Sequence, residues 1–192
     1  MVRRKYYMLV AITGHANGIG AAITDSLIEK GYTVIGFDLE TGDDIRDADS
    51  IVEQAKIADV FINNAYAPGA QVPLLQKIFA EWAEDETKTI VNIGSKAKYF
   101  PTGQSQLTPD MVEYTLDKRM MDEVVKAFQF YMYKKCRLIS INPGFVVSEL
   151  TKSRNIDKIM LTPEAIADAV MWAIEMPQDV EIGELSIWTR ER

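Results

Sequence analysis

Apolar, β-rich runs recur along the chain at Tyr6–Ile12, Tyr32–Phe37, Val60–Ile62, Thr89–Ile93, Arg137–Ile141 and Glu184–Trp188. Between most of them lie segments with helical periodicity, so strand and helix alternate. Parallel strands need crossover connections. The alternation therefore predicts an α/β fold, with a doubly wound parallel sheet of about six to seven strands between two helical layers. No repeat, low-complexity tract or linker interrupts the pattern, and residues 1–192 read as a single domain.

Two helices announce their starts. Thr108-Pro109-Asp110 and Thr162-Pro163-Glu164 each combine a Thr N-cap, a Pro at the first helical position and an acid in the first turn. The first opens a long helix, roughly 109–134, and the second a helix ending near Glu175, before Pro177. A helix over 19–30 stops at Gly31, a natural left-handed cap. Another fits about Leu74–Glu84.

Composition narrows the function classes. With 192 residues and 47% hydrophobic content, the chain can bury a substantial core. A net charge of −7 argues against a nucleic-acid partner, and Arg3, Arg4 and Lys5 read as a solvated lead-in to a strand. The single cysteine, Cys136, has no intrachain disulfide partner and fits a reducing compartment, as a buried or edge thiol. Met8–Ile12 is too short for a signal or membrane segment, so a cytoplasmic protein without a membrane partner is expected. No metal site is read.

The chemistry concentrates in a few segments. Gly14-His15-Ala16-Asn17-Gly18-Ile19-Gly20 joins the first strand to a helix. Its glycines let the backbone approach a pyrophosphate, and the helix N-terminus supplies unpaired N–H groups and partial positive charge. Asp38 closes the second strand, where a carboxylate accepts hydrogen bonds from adenosine ribose hydroxyls and repels a 2′-phosphate. Ala16 and Leu39 supply no cation for such a phosphate, although His15 keeps NADP open beside the preferred NAD. Asn63-Asn64-Ala65-Tyr66 ends what is expected to be the fourth strand. Its asparagines are placed to tie neighbouring strand ends together, and Ala65 leaves room for a ribose.

Ser95 ends the strand Thr89–Gly94, at the carboxyl edge where open α/β sheets bind ligands. Tyr114 and Lys118 lie at i and i+4 on one helix face. A free phenol has a pKa of about 10, poor for accepting a proton at neutral pH. An ammonium ~5 Å away at an effective dielectric of ~20 favours the phenolate by roughly 3 kcal/mol, or about two pKa units.

The ordered set of glycine loop, Asn-Asn-Ala, Ser95 and Tyr114 with Lys118 resembles the short-chain dehydrogenases/reductases, over nearly the whole chain. The resemblance implies a Rossmann-like fold and an NAD(P)-dependent oxidoreductase that interconverts an alcohol and a ketone or aldehyde. In these terms Tyr114 is the acid/base, Lys118 lowers its pKa and binds the nicotinamide ribose, and Ser95 polarises the substrate oxygen. Asp44 and Ile45 match the element that meets the adenine edge, with a plain acidic turn as the other reading of Asp43 and Asp44. In Asn142-Pro143-Gly144-Phe145-Val146-Val147-Ser148, expected after the sixth strand, Pro143, Gly144, Val146 and Ser148 match the loop that holds the nicotinamide carboxamide.

The departures from the family are as specific as the matches. Asp44 follows Asp38 by six residues, so the loop Glu40–Asp43 must replace the second helix of the usual fold. Tyr66 stands where the family has Gly, and its side chain either turns away from the cofactor or crowds the cleft. The helix before the Ser95 strand is trimmed and contains no Asn to support a water relay to Lys118. Residues 97–107 read as an enlarged loop beside the substrate, and 149–161 as a short lid. Tyr99, Phe100 and Phe145 either line an apolar pocket or pack the core. The apolar stretch Val124–Tyr133 suggests a homodimer or tetramer. Two other readings stand beside the oxidoreductase: a non-catalytic dinucleotide-binding sensor, and an epimerase or lyase on the same fold.

Overall fold

The computed structural model describes residues 8–101, 108–148 and 159–190. The basic run at 3–5, residues 102–107 of the 97–107 loop and most of the 149–161 lid lie outside the described residues. Strands β1 (Leu9–Thr13), β2 (Thr33–Phe37), β3 (Val60–Asn63), β4 (Thr89–Ile93), β5 (Arg137–Pro143) and β6 (Glu184–Ile187) form one sheet in the order β2-β1-β3-β4-β5-β6. Every pairing is parallel. The strand ending at Asn63 is thus the third, not the fourth, and that ending at Pro143 the fifth, not the sixth. The segment between β2 and β3 has room for a turn and helix α2 (Ala48–Ala55), but forms no extra strand.

Helices α1 (Gly18–Glu29) and α5 (Pro163–Ile174) cover one face of the sheet; α2, α3 (Gln71–Trp82) and α4 (Pro109–Gln129) cover the other. Successive strand residues point to opposite faces, and both faces are packed. In β1, Ala11 faces the α2–α4 side, while Val10 and Ile12 face α1 and α5. This is why the strands read as continuous apolar runs. Between β2 and β3 the turn Leu39–Thr41 is capped by Asp38 and closed by Gly42 at φ 94°, as the six-residue spacing from Asp38 to Asp44 requires.

The capping signals operate as expected. The Thr108 hydroxyl accepts from Met111 N, the Thr162 hydroxyl accepts from Ala165 N, and Gly31 takes a φ of 84° after α1. Two boundaries move. α4 ends at Gln129 rather than near 134, and Tyr131–Lys134 forms a turn. Phe128 stacks on Phe79 with ring centroids 4.0 Å apart, so part of this apolar stretch belongs to the core; Phe130 and Met132 are exposed.

α3 begins at Gln71, three residues before the expected start. Its buried stripe is Gln71, Leu74, Leu75, Ile78, Phe79 and Trp82. Each large apolar member contributes about 2 kcal/mol by burial. The polar first member lies on the same buried line.

Candidate active site

The strand order reverses between β1 and β3, since β1 leads outward to β2 and the chain then returns to the other side of β1. Such a switch point leaves a crevice at the carboxyl ends of the strands. Thr13 closes β1 there, and its hydroxyl accepts from the amides of Asn64 (3.1 Å) and Ala65 (3.0 Å). Asn64 returns the contact, donating from Nδ2 to the carbonyls of Thr13 and Gly14. The two strand ends are knotted together at the floor of the crevice.

The loop above that floor depends on glycine. Gly14 and Gly18 have φ of 70° and 54°, a region that side chains disfavour. A Cβ on Gly20 would lie 1.8 Å from the Gly14 carbonyl oxygen, which is backbone and has nowhere to go. Asn17, at the N-cap of α1, makes no side-chain capping bond and donates instead to Glu40. The first turn of α1 therefore has neither a side-chain cap nor an acid, leaving its amides and positive end for an anionic ligand. These residues fit a dinucleotide pyrophosphate.

At the end of β2, Asp38 accepts from Ala16 N and Glu40 N, which fixes its carboxylate beside the loop. His15 packs its ring against Gly36, where an added Cβ would come within 2.4 Å. Its Nδ1 is buried without a hydrogen-bond partner among the described residues. Leu39 is exposed. Asp44 is held by Arg46 through both its backbone N–H and its guanidinium (2.8 Å), and the Ile45 side chain enters the core.

The second half of the site gathers at the end of β4. Ser95 accepts from Ala97 N through its hydroxyl oxygen, which leaves its O–H able to donate outward. On α4, Lys118 is buried, and its Nζ lies 5.5 Å from the Tyr114 ring and 5.3 Å from that of Tyr66. It donates to the carbonyl of Ile93 (3.2 Å), two residues before Ser95, and to Oε1 of Gln71 (2.7 Å). Burial pulls the Lys118 ammonium down to about 7, against a smaller upward pull from Asp117.

Tyr66 turns toward α4. Its ring meets Tyr114 edge-on at 4.9 Å, and its hydroxyl donates to Asp117 (3.0 Å), which also accepts from Gly69 N. Burial and the Asp117 carboxylate hold the Tyr66 phenol above its usual range, so it is protonated at neutral pH. The Tyr66 side chain thus becomes a side wall against Tyr114.

A second buried lysine fixes the turn that follows Ser95. Lys98 pairs with Asp122 of α4 (2.5 Å) and Glu184 of β6 (3.1 Å). Burial pulls its ammonium down, but the two carboxylates more than offset this and hold it above the usual lysine range. Arg119 donates to the carbonyls of Lys98 and Phe100, clamping the same turn. Phe100 and Phe145 lie with ring centroids 6.2 Å apart, while Tyr99 is exposed.

After β5, Gly144 N donates to Ile187 O (2.7 Å), and a Cβ added at Gly144 would come within 3.1 Å of the Trp188 side chain. Val146 bridges Leu161 in parallel, so the loop ending at Ser148 is held at both sides. The sequence reading missed Gln71 and Lys98. Gln71 did leave a signal, a lone amide on an otherwise apolar helical stripe.

No family model matches the chain. An uncharacterised oxidoreductase of Staphylococcus aureus (strain USA300) is 23% identical over 229 residues, covering 93% of this chain and 96% of that protein. That span exceeds the 192 residues here, so the relative carries inserted segments. Among solved structures, a short-chain dehydrogenase/reductase (glucose/ribitol dehydrogenase) from Brucella melitensis has a TM-score of 0.76 at 17% identity, over 95% of each chain. Serine dehydrogenase from Escherichia coli gives 0.72 at 22% identity, over 94% of this chain and 97% of that one. A 3-ketoacyl-(acyl-carrier-protein) reductase from Brucella melitensis, complexed with NADH, gives 0.71 at 20% identity, over 94% and 96%.

Proposed function

We propose that this chain, whose fold is that of the short-chain dehydrogenases/reductases, is an NAD-dependent oxidoreductase that interconverts an alcohol and a ketone or aldehyde. The observation that carries the reading is the Lys118 ammonium, buried 5.5 Å from the Tyr114 ring at the strand end that presents Ser95. When bound, the nicotinamide supplies the hydride acceptor or donor. The chain's own residues handle the proton. Tyr114 takes it from the alcohol, or returns it to the carbonyl oxygen in the reverse direction. Ser95 donates a hydrogen bond to that oxygen as its charge develops. Lys118, while protonated, favours the phenolate of Tyr114 and reaches the nicotinamide ribose.

Gly14, Gly18 and Gly20 hold the pyrophosphate with the first turn of α1; Asn64 and Ala65 border the adenosine ribose. Pro143, Gly144, Val146 and Ser148 form the carboxamide side. Asp38 supports NAD over NADP, and Glu40, brought close by Asn17, adds a second carboxylate against a 2′-phosphate. Asp44 and Ile45 take the adenine edge.

Titration of NAD and NADP by intrinsic fluorescence, followed by a panel of alcohols and carbonyls read at the nicotinamide absorbance band, tests the reading. Tighter binding of NAD and turnover of at least one hydroxy or keto compound are expected. Tyr114→Phe is expected to lower that turnover by roughly 10²–10⁴-fold while leaving NAD affinity nearly unchanged. Turnover that survives this change would overturn the assigned mechanism. Binding without turnover across the panel would favour the sensor.

A further inference from the structure

Lys118 brings a cost with it. A fully buried ammonium needs acceptors for its protons, and burial without a carboxylate partner disfavours the charged form. Its acceptors among the described residues, the Ile93 carbonyl and Gln71 Oε1, are both neutral. The Gln71 contact is the shorter of the two, at 2.7 Å. Of the titratable neighbours, Tyr114 and Asp117 lie on the same helix, and Tyr66 comes from the loop after β3. Asp117 is already engaged by the Tyr66 hydroxyl and Gly69 N.

The orientation of the Gln71 amide is not free. Its Nε2 donates to the carbonyls of Asn63 (3.0 Å) and Ile93 (3.2 Å), one on each of two adjacent strands. Flipping the amide would place its oxygen against both carbonyls and its NH2 against an ammonium. The backbone is held as well, because Asn63 Nδ2 donates to the Gln71 carbonyl (3.1 Å). Asn63 and Gln71 therefore clamp each other, and the one remaining polar atom of the Gln71 side chain, Oε1, faces Lys118.

We propose that Gln71 is a positioning residue for proton transfer: its locked amide holds the Lys118 ammonium beside the paired rings of Tyr66 and Tyr114, and thereby governs the charge that Tyr114 meets when it exchanges its proton. The link to catalysis rests on the oxidoreductase reading above; the hold on Lys118 does not. Gln71 touches neither substrate nor cofactor in this role. It acts through Lys118, where the sequence offered no Asn to do so.

The test follows Lys118 itself. The full chain, labelled with carbon-13 at lysine Cε and tyrosine Cζ, is titrated by NMR, with Lys118→Arg and Tyr114→Phe serving to assign the two resonances. In the wild type the Lys118 midpoint is expected near 7. Gln71→Met keeps the size and removes the acceptor. It is expected to lower the Lys118 midpoint by about one unit or more, since a hydrogen bond to a charged group contributes roughly 1.5–3 kcal/mol. The Tyr114 Cζ resonance, whose ring lies 5.5 Å from that ammonium, senses the loss of its charge, and this inflection is expected to move down with the Lys118 midpoint.

Should Gln71→Met not fold, Gln71→Asn keeps the amide but shortens its reach, and the same two shifts are expected. An unmoved Lys118 midpoint in a folded variant overturns the proposal, and a Tyr114 resonance that does not follow the Lys118 ionisation overturns its catalytic half. Neither resonance depends on turnover. Shifts of the expected sign in a chain that turns over no substrate would leave the hold on Lys118 standing and remove the oxidoreductase reading instead.

Discussion

Two lysines, both buried against the same helix, are treated in opposite ways by this fold. Lys98 meets two carboxylates, Asp122 and Glu184, and stays charged as a fixed strut between the turn after Ser95, α4 and β6. Lys118, one turn before Asp122 on α4, meets an amide and a carbonyl and sits close to losing its proton at neutral pH. Desolvation opposes both charges. What differs is whether an anion answers it. Lys98, given full counter-charge, braces the structure, whereas Lys118 is left poised, as its proposed role beside Tyr114 requires.

The sharpest way to break this contrast is to replace each lysine by methionine and compare the signs. Lys98→Met leaves buried carboxylate without its partner, and is expected to lower the unfolding free energy by about 3 kcal/mol, as removing one member of a buried pair does. Asp122 keeps Lys126 at 2.6 Å, which limits the loss. Chemical denaturation at pH 7 reads the change, and a neutral or stabilising outcome would mean that Lys98 is no strut.

Lys118→Met is expected to act the other way. The folded-state pKa of about 7 lies below the unfolded value near 10.5. The unfolded chain thus holds the extra proton between those two values, and wild-type stability gains from this group as pH rises through that window. Below pH 7 the full cost of burying the ammonium is present. The variant should be more stable than wild type by about 1–2 kcal/mol at pH 6, after allowing for the unpaired Gln71 oxygen, and the advantage should shrink by pH 9. Denaturation curves at the two pH values check both the sign and the trend; an advantage that grows with pH would contradict the depressed pKa.

The smallest effect is expected from Tyr66→Phe. Losing the hydroxyl bond to Asp117 should cost about 1 kcal/mol. The ring stays against Tyr114, and Gly69 N still satisfies the carboxylate. If the loss is several-fold larger, the 66–69 loop depends on this bond more than the geometry indicates.

Much of the fold was legible because its signals are local. Thr-Pro-acid triplets at 108 and 162 and the glycine at 31 are read within a single turn, and each does in the structure what its chemistry suggests. The glycine loop is legible for the same reason: added carbon at Gly20 collides with backbone six residues away. The strand count was harder, since a spacing of six residues after Asp38 shows that something is shortened but not that the sheet ends at β2. The overrun of α4 past Gln129 came from reading a continuous apolar stretch as one helix, when Phe128 turns into the core and Phe130 out of it.

The polar pairings behind the site were the least legible. Gln71 meets Lys118 across 47 positions, and Tyr66 meets Asp117 across 51. Nothing in either neighbourhood announces its partner, and Lys98 reads as one more surface cation until Asp122 and Glu184 close on it. Only the amide on the apolar line of α3 offered a hint.

Cys136 has a practical consequence. The chain's single thiol is buried at the start of β5, and burial pushes it up to about 11, so at neutral pH it offers reagents almost no thiolate. The native molecule is therefore already a blank background for site-directed labelling. A cysteine placed at exposed Leu39, beside Asp38, would be the one reactive group among the chain's thiols. A spin or fluorescent label could then be set beside the glycine loop with no prior removal of native sulfur.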